Sequence, residues 1–188
     1  MEDLSPIQNK AEKFFDQFHK KWASQMQCAK GCSHCCIAGL SVFSWEADLI
    51  VKWFISLPKQ KKAELKKIWN QAPEPFTNVE GRDALPCAFL SSGSCSIYEQ
   101  RPIICRTQGM SMRWSDDGTP MRDWCPLNFV QEQPSPQDDL NLDSLNSMIS
   151  SAQQIHNKST ISALETNNER VDLISLKNYL IRITQEEK

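Results

Sequence analysis

The chain has 188 residues, 40% of them hydrophobic and 23% charged, with a formal net charge of -2. That balance excludes a disordered chain, and the small charge gives no global pull toward nucleic acid or an anionic membrane surface. A chain of this length can bury a core without covalent staples, so its eight cysteines are not needed merely to hold a small fold together.

The opening MEDLSPIQNKAEKFF has no apolar run behind a basic segment, so no secretory signal is expected. No stretch reaches the roughly 18 apolar residues of a membrane helix. The expected setting is the cytoplasm, where thiols stay reduced and cysteines serve as ligands or redox groups before they serve as disulfides.

Ile7, Ala11, Phe14, Phe15, Phe18, Trp22 and Met26 recur at spacings of three and four, which predicts an amphipathic helix over about 5 to 26. It delivers the chain into the first cysteines. Ser44, followed by Trp45, Glu46, Ala47 and Asp48, reads as an N-cap with an acidic first turn, opening a helix through Ile50, Trp53 and Phe54 to Leu57. Pro58 suits the first turn of a further helix carrying Ala63, Leu65, Ile68 and Trp69, with the run PKQKKAELKK as its wet face. Residues 72–86, with three prolines and a glycine, predict a loop. Between Cys87 and Cys125 glycines and prolines interrupt any helical period, so that segment is expected to be loop-built. Leu140, Leu142, Leu145, Met148 and Ile149 suggest another helix, and 173–183 a last one. No alternation of strands and helices and no phosphate-binding glycine loop appears. The expected fold class is mainly α: one domain over 1–188, with an irregular cysteine-rich metal-binding insert, a cysteine-cluster core at about 28–125 and a helical extension at about 138–188.

The cysteines fall into two sets, Cys28, Cys32, Cys35 and Cys36, then Cys87, Cys95, Cys105 and Cys125. Packing, disulfides, redox chemistry and metal binding would each use them differently. Leu or Val would pack such a face better and without oxidation hazard. Disulfides suit an oxidising compartment, and the Cys32-x-x-Cys35 redox spacing lacks a βαβ unit around it. A thiophilic metal, in contrast, needs thiolates from separate segments converging at about 2.3 Å, and short spacings let one turn supply several. Eight thiolates suit two closed zinc sites, one iron-sulfur cluster with spares, or a polynuclear site. Cys28, Cys32 and Cys35 also match the C-x3-C-x2-C triplet of radical enzymes using S-adenosylmethionine, but those enzymes place it in a large α/β barrel. Adjacent Cys35 and Cys36 point apart on most backbones and are expected to serve different metals or roles. Lys30, Arg101 and Arg106 flank the clusters and could offset thiolate charge. Cys125, in DWCPL, suits core packing as well as coordination, and His34 is expected to face solvent.

GCSHCC, SVFSWEADLI and CAFLSSGSCSIYEQRPIICR together resemble the YkgJ-type cysteine-cluster family, also called CxxCxxCC, described as a zinc- or iron-chelating domain. In the last stretch Cys87, Phe89, Leu90, Gly93, Cys95, Tyr98, Arg101, Pro102, Cys105 and Arg106 carry the resemblance, which covers roughly 28–125. The first gap, Cys28 to Cys32, holds three residues where the family name implies two. The resemblance implies zinc or iron held by Cys28, Cys32, Cys35, Cys36, Cys87, Cys95 and Cys105, with an iron-sulfur cluster among the options. It supplies no reaction, although flagellin lysine methylases share the cysteine cluster.

Two functions follow as expectations. The first is a cytosolic metal-binding protein with an unidentified protein partner or substrate and no nucleic acid or membrane partner. The second is an iron-sulfur-dependent enzyme modifying a protein side chain or small molecule. No Ser-His-Asp set, paired-carboxylate motif or HExxH helix is evident, so the enzyme reading rests on the cluster alone.

Overall fold

The computed structural model describes residues 6–28, 31–74, 76–159 and 169–183. Helix α1 (Pro6–Trp22) continues through a 3-10 turn (Ala23–Gln25) toward Cys28. Strand β1 (Ser41–Phe43) runs directly into α2 (Ser44–Ser56), and α3 (Lys59–Trp69) follows. Two small antiparallel hairpins come next, β2 (Phe76–Thr77) with β3 (Asp83–Ala84) and β4 (Leu90–Ser91) with β5 (Ser94–Cys95). A 3-10 turn (Tyr98–Gln100) and α4 (Ile103–Thr107) precede the hairpin of β6 (Met112–Asp116) and β7 (Thr119–Asp123). Strand β8 (Leu140–Asn141) lies parallel to β6 and opens α5 (Leu142–Ser159). Last come β9 (Arg170–Asp172), antiparallel to β1, and α6 (Leu173–Ile183).

Mainly α is therefore the wrong class. The described chain is 48% helical and 17% strand, a mixed α/β architecture with several small sheets. The strands lie largely where loops were expected, within 72–86 and 87–125. Their cause is local: Ser92 and Gly93 (φ 47° and 70°), and Asp117 and Gly118 (φ 46° and 82°), are consecutive left-handed pairs that reverse the chain in two residues. Each pair brings backbone donors opposite acceptors, and that pairing satisfies groups an open loop would leave to water.

The described residues of 1–30 and 102–155 form one compact unit, and those of 31–101 and 156–183 a second. In the first, α1 packs on α4 and buries Ala11, Phe18 and Trp22. Phe18 and Trp22 meet the Phe129 ring edge-on at 5.8 and 6.1 Å between centroids. Helix α1 stops at Trp22, short of the expected 26, and the next turn tightens to 3-10. Arg122 of β7 forks onto Asp139 at 2.5 and 2.8 Å, tying the hairpin to the segment before β8.

The second unit is built on Phe54, Trp69, Phe89, Leu176 and Leu180, with Cys87 and Cys95 packed at the edge of that core. Trp69 lies 5.3 Å from Phe54 and 5.5 Å from Phe89 between centroids, and its indole N–H donates to Ser96 Oγ at 2.8 Å. Pairing of Val42 with Val171 aligns β1 with β9, and each strand ends where a helix begins. That register moves the expected cap: Phe43, the last strand residue, takes the N-cap position, and its N–H donates to Glu46 at 3.3 Å. Ser44 becomes the first helical residue, and its own N–H donates to the Glu169 carbonyl at 2.9 Å. Among the described residues no helix is long and apolar enough to cross a membrane.

Candidate metal centre

Gly31 stands at φ 98°, and the Cys36 N–H donates to the Ser33 carbonyl at 2.8 Å to close a tight turn around Cys35. The strand-like stretch after it then runs antiparallel to residues 85–87. The Cys87 N–H donates to the Cys36 carbonyl at 2.7 Å, Ile37 bridges Pro86, and the Ala38 N–H donates to the Leu85 carbonyl at 2.8 Å. Cys95 is brought alongside by the β4–β5 hairpin, where it pairs with Leu90, three residues beyond Cys87. Backbone pairing thus gathers Cys35, Cys36, Cys87 and Cys95 from three separate segments of the second unit.

The electrostatics of these thiols are linked. The Cys36 thiol donates to Cys35, which lowers Cys35 to about 7 against the opposing effect of burial. Cys36 itself is driven strongly upward, first by holding that hydrogen bond, then by burial and by the charges of Cys35, Cys87 and Cys95. Burial pushes Cys87 up, and the amide N–H groups of Phe89 and Leu90 facing its sulfur oppose this. Cys95 is pushed up to about 11 by burial, opposed by the Ile97 N–H and by Arg101. Amides aimed at sulfur two and three residues back favour thiolate, as does a neighbouring cation. Lys177 of α6 is the cation near Cys87. It was not foreseeable, because nothing in a helix face about ninety residues away marks it as facing a thiol.

The remaining cysteines are placed differently. Cys32 lies half-buried in the second unit, in the turn after Gly31. Cys28, Cys105 and Cys125 belong to the first unit and are each half-buried. Cys105 sits inside α4, Cys28 follows the 3-10 turn, and the Cys125 carbonyl accepts the Asn128 N–H at 2.9 Å. The sulfur of Cys28 accepts a hydrogen bond from the Asn128 carboxamide at 3.3 Å. Neither Asn128 nor Gly109, which packs on Cys28, carries a signal in the sequence that could have found it. Of the flanking cations, Arg101 stacks over the Tyr98 ring at 4.0 Å, within reach of Cys95. Arg106 is buried and ion-paired with Glu12 of α1, and Lys30 lies outside the described residues. His34 is exposed, as expected.

A cavity of about 340 Å³ opens beside Cys87, with Trp69, Phe76, Leu85, Pro86 and Leu90 on its walls and Lys177 at its edge. The donor set fits a thiophilic cation in its chemistry: sulfurs from several segments, amides aimed at two of them, and a cation beside each of those two. Among the described residues, however, no three His, Cys, Asp or Glu side chains form a ready-made cage for a metal ion.

No curated protein and no solved structure matches the chain. The sequence pattern of the CxxCxxCC family, described as "Putative zinc- or iron-chelating domain", matches residues 27–126, an interval that contains all eight cysteines. The chain therefore belongs to the CxxCxxCC family.

Proposed function

We propose that the protein is a cytosolic zinc- or iron-binding protein whose metal is held by thiolates centred on Cys35, Cys36, Cys87 and Cys95. Cys32 of the same unit, and Cys28, Cys105 and Cys125 of the first unit, are proposed as metal ligands as well. One observation carries it: backbone pairing brings thiols from distant segments together, the Cys87 N–H donating to the Cys36 carbonyl at 2.7 Å and the β4–β5 register setting Cys95 opposite Leu90, three residues beyond Cys87. Three half-buried thiols and the exposed Cys35 have little reason to be gathered for packing alone. A bound cation removes the cost of ionising them together and draws the sulfurs inward. The proposed partner is a protein that receives or reads the metal; neither nucleic acid nor membrane is invoked.

A second reading, an iron-sulfur-dependent enzyme acting on a protein side chain or small molecule in a methylase-like manner, is favoured by the cavity beside Cys87. Elemental mass spectrometry on anaerobically purified protein separates the two. A colourless zinc protein supports the first reading. A brown protein with broad visible absorbance and iron with sulfide supports the second, and protein free of both metals, with all cysteines titrating as thiols, overturns both. Cys95→Ser should lose the metal, read by elemental analysis of the purified variant; a fully metal-loaded variant would contradict Cys95 as a ligand.

A further inference from the structure

Cys28 is held within the first unit by Asn128 and Gly109. The Asn128 side chain is almost fully buried at 1% exposure, and its Nδ2 donates to Cys28 Sγ at 3.3 Å and to the Gly109 carbonyl at 2.7 Å. Its Oδ1 accepts the Gln27 N–H at 2.7 Å, so one carboxamide grips the backbone before Cys28 and the sulfur itself. Beside that carboxamide Gly109 stands at φ 91°, and a Cβ there would lie 2.6 Å from Cys28 Sγ and 3.3 Å from Asn128 Nδ2. The space the sulfur occupies exists because that residue has no side chain.

The next residue shows what holds the carboxamide in place. Phe129 adopts φ 56°, a left-handed conformation that a bulky side chain rarely takes. Its ring is fixed edge-on by Phe18, Trp22 and Trp124, and its N–H donates to the Gln25 carbonyl at 2.8 Å. Backbone strain sustained by such packing marks a position where geometry is being enforced. The enforced result is the Asn128 amide against the Cys28 sulfur, with the Asn128 N–H on the Cys125 carbonyl.

We propose that Asn128 is a positioning residue for the metal-binding function, fixing Cys28 Sγ as a sulfur donor through an N–H···S hydrogen bond, with Gly109 leaving room for the sulfur beside that carboxamide. The inference rests on the thiolate-metal reading above. An amide donor to sulfur withdraws charge from the thiolate and sets its direction, and partners of this kind shift metal affinity by about 10–100-fold.

Cobalt(II), added to the reduced full-length protein, is the probe. Asn128→Asp keeps the acceptor for the Gln27 N–H and removes the amide donor; Gly109→Ala places a Cβ against both the sulfur and the Asn128 carboxamide. Both variants should bind cobalt about 10–100-fold more weakly in chelator competition, with altered thiolate-to-cobalt charge-transfer absorption. In the loaded protein Cys28, alone among the eight cysteines, should gain reactivity toward iodoacetamide, with helical circular dichroism retained. Absence of any cobalt-thiolate band in the unmodified protein would sink the thiolate reading and this inference with it. A normal band there, with affinity and Cys28 reactivity unchanged in the variants, would overturn the inference alone. A uniform rise at all eight cysteines with loss of helicity would make Asn128 merely structural and also overturn it. Should Asn128→Asp not fold, Gly109→Ala decides by the same readouts.

Discussion

At the scale of single residues, the adjacent thiols Cys35 and Cys36 are electrostatic opposites. Cys36 gives its proton to a hydrogen bond with Cys35, so ionisation of one is favoured at the expense of the other. The thiolate is the nucleophile. In the metal-free protein Cys35 should therefore be the fastest cysteine of its cluster to alkylate, its rate climbing to half-maximum near a pH of about 7. Cys95, pushed up to about 11, should stay slow at neutral pH. Peptide mapping after timed iodoacetamide pulses across a pH series reads this directly, and equal rates at the two positions would contradict the paired arrangement. From the sequence the two neighbours were expected to play different roles. Which of the two holds the proton depends on burial and on the charges of Cys87 and Cys95 brought in from elsewhere in the chain, and no spacing rule contains that.

At the scale of elements, helix starts are decided by the strands that precede them. Asp172 ends β9 and caps α6, its Oδ1 accepting the Ser175 N–H at 2.8 Å. The Ser175 side chain and then its amide hold the carboxyl below its ordinary range. Because the folded value lies below the unfolded one of about 3.9, the cap contributes fully above that pH and its contribution disappears as pH falls through the folded value. Asp172→Ala should cost about 1 kcal/mol at neutral pH, measured by urea denaturation, and the difference from the unmodified protein should shrink in acid. The limits of α6 at 173–183 were readable from apolar spacing, because Leu173, Leu176 and Leu180 lie on one face and all three are buried. The hairpins were missed for a different reason. Strands of two to five residues show too few alternations to register as a period, while the Asp117–Gly118 pair that makes one of them was visible as a turn signal.

At the scale of the whole molecule, the metal reading has a consequence in protons. Cys36, Cys87 and Cys95 are all raised and so carry their protons at neutral pH in the metal-free protein. Uptake of a cation by these sulfurs must displace those protons, so affinity should fall steeply as pH drops. Calorimetry of zinc binding in buffers of different ionisation enthalpy should show net proton release, with the binding heat changing from buffer to buffer. Heat independent of buffer would mean that these thiols do not ionise on uptake.

The sequence by itself determined the family and the cysteine inventory, because the two clusters, Phe89, Leu90 and the Tyr98 to Arg106 stretch sit at fixed short spacings that survive in one dimension. It also placed the long helices, whose apolar periodicity is a local property. The tertiary structure alone decided which thiols meet. Cys36 reaches Cys87 through a backbone pairing across about fifty residues, Lys177 arrives from the far end of the chain, and Asn128 grips Cys28 across 100 residues. Contacts of that kind are set by how strands register and how Trp69 and Phe129 pack, and those are energies of the folded chain that no short window of residues contains.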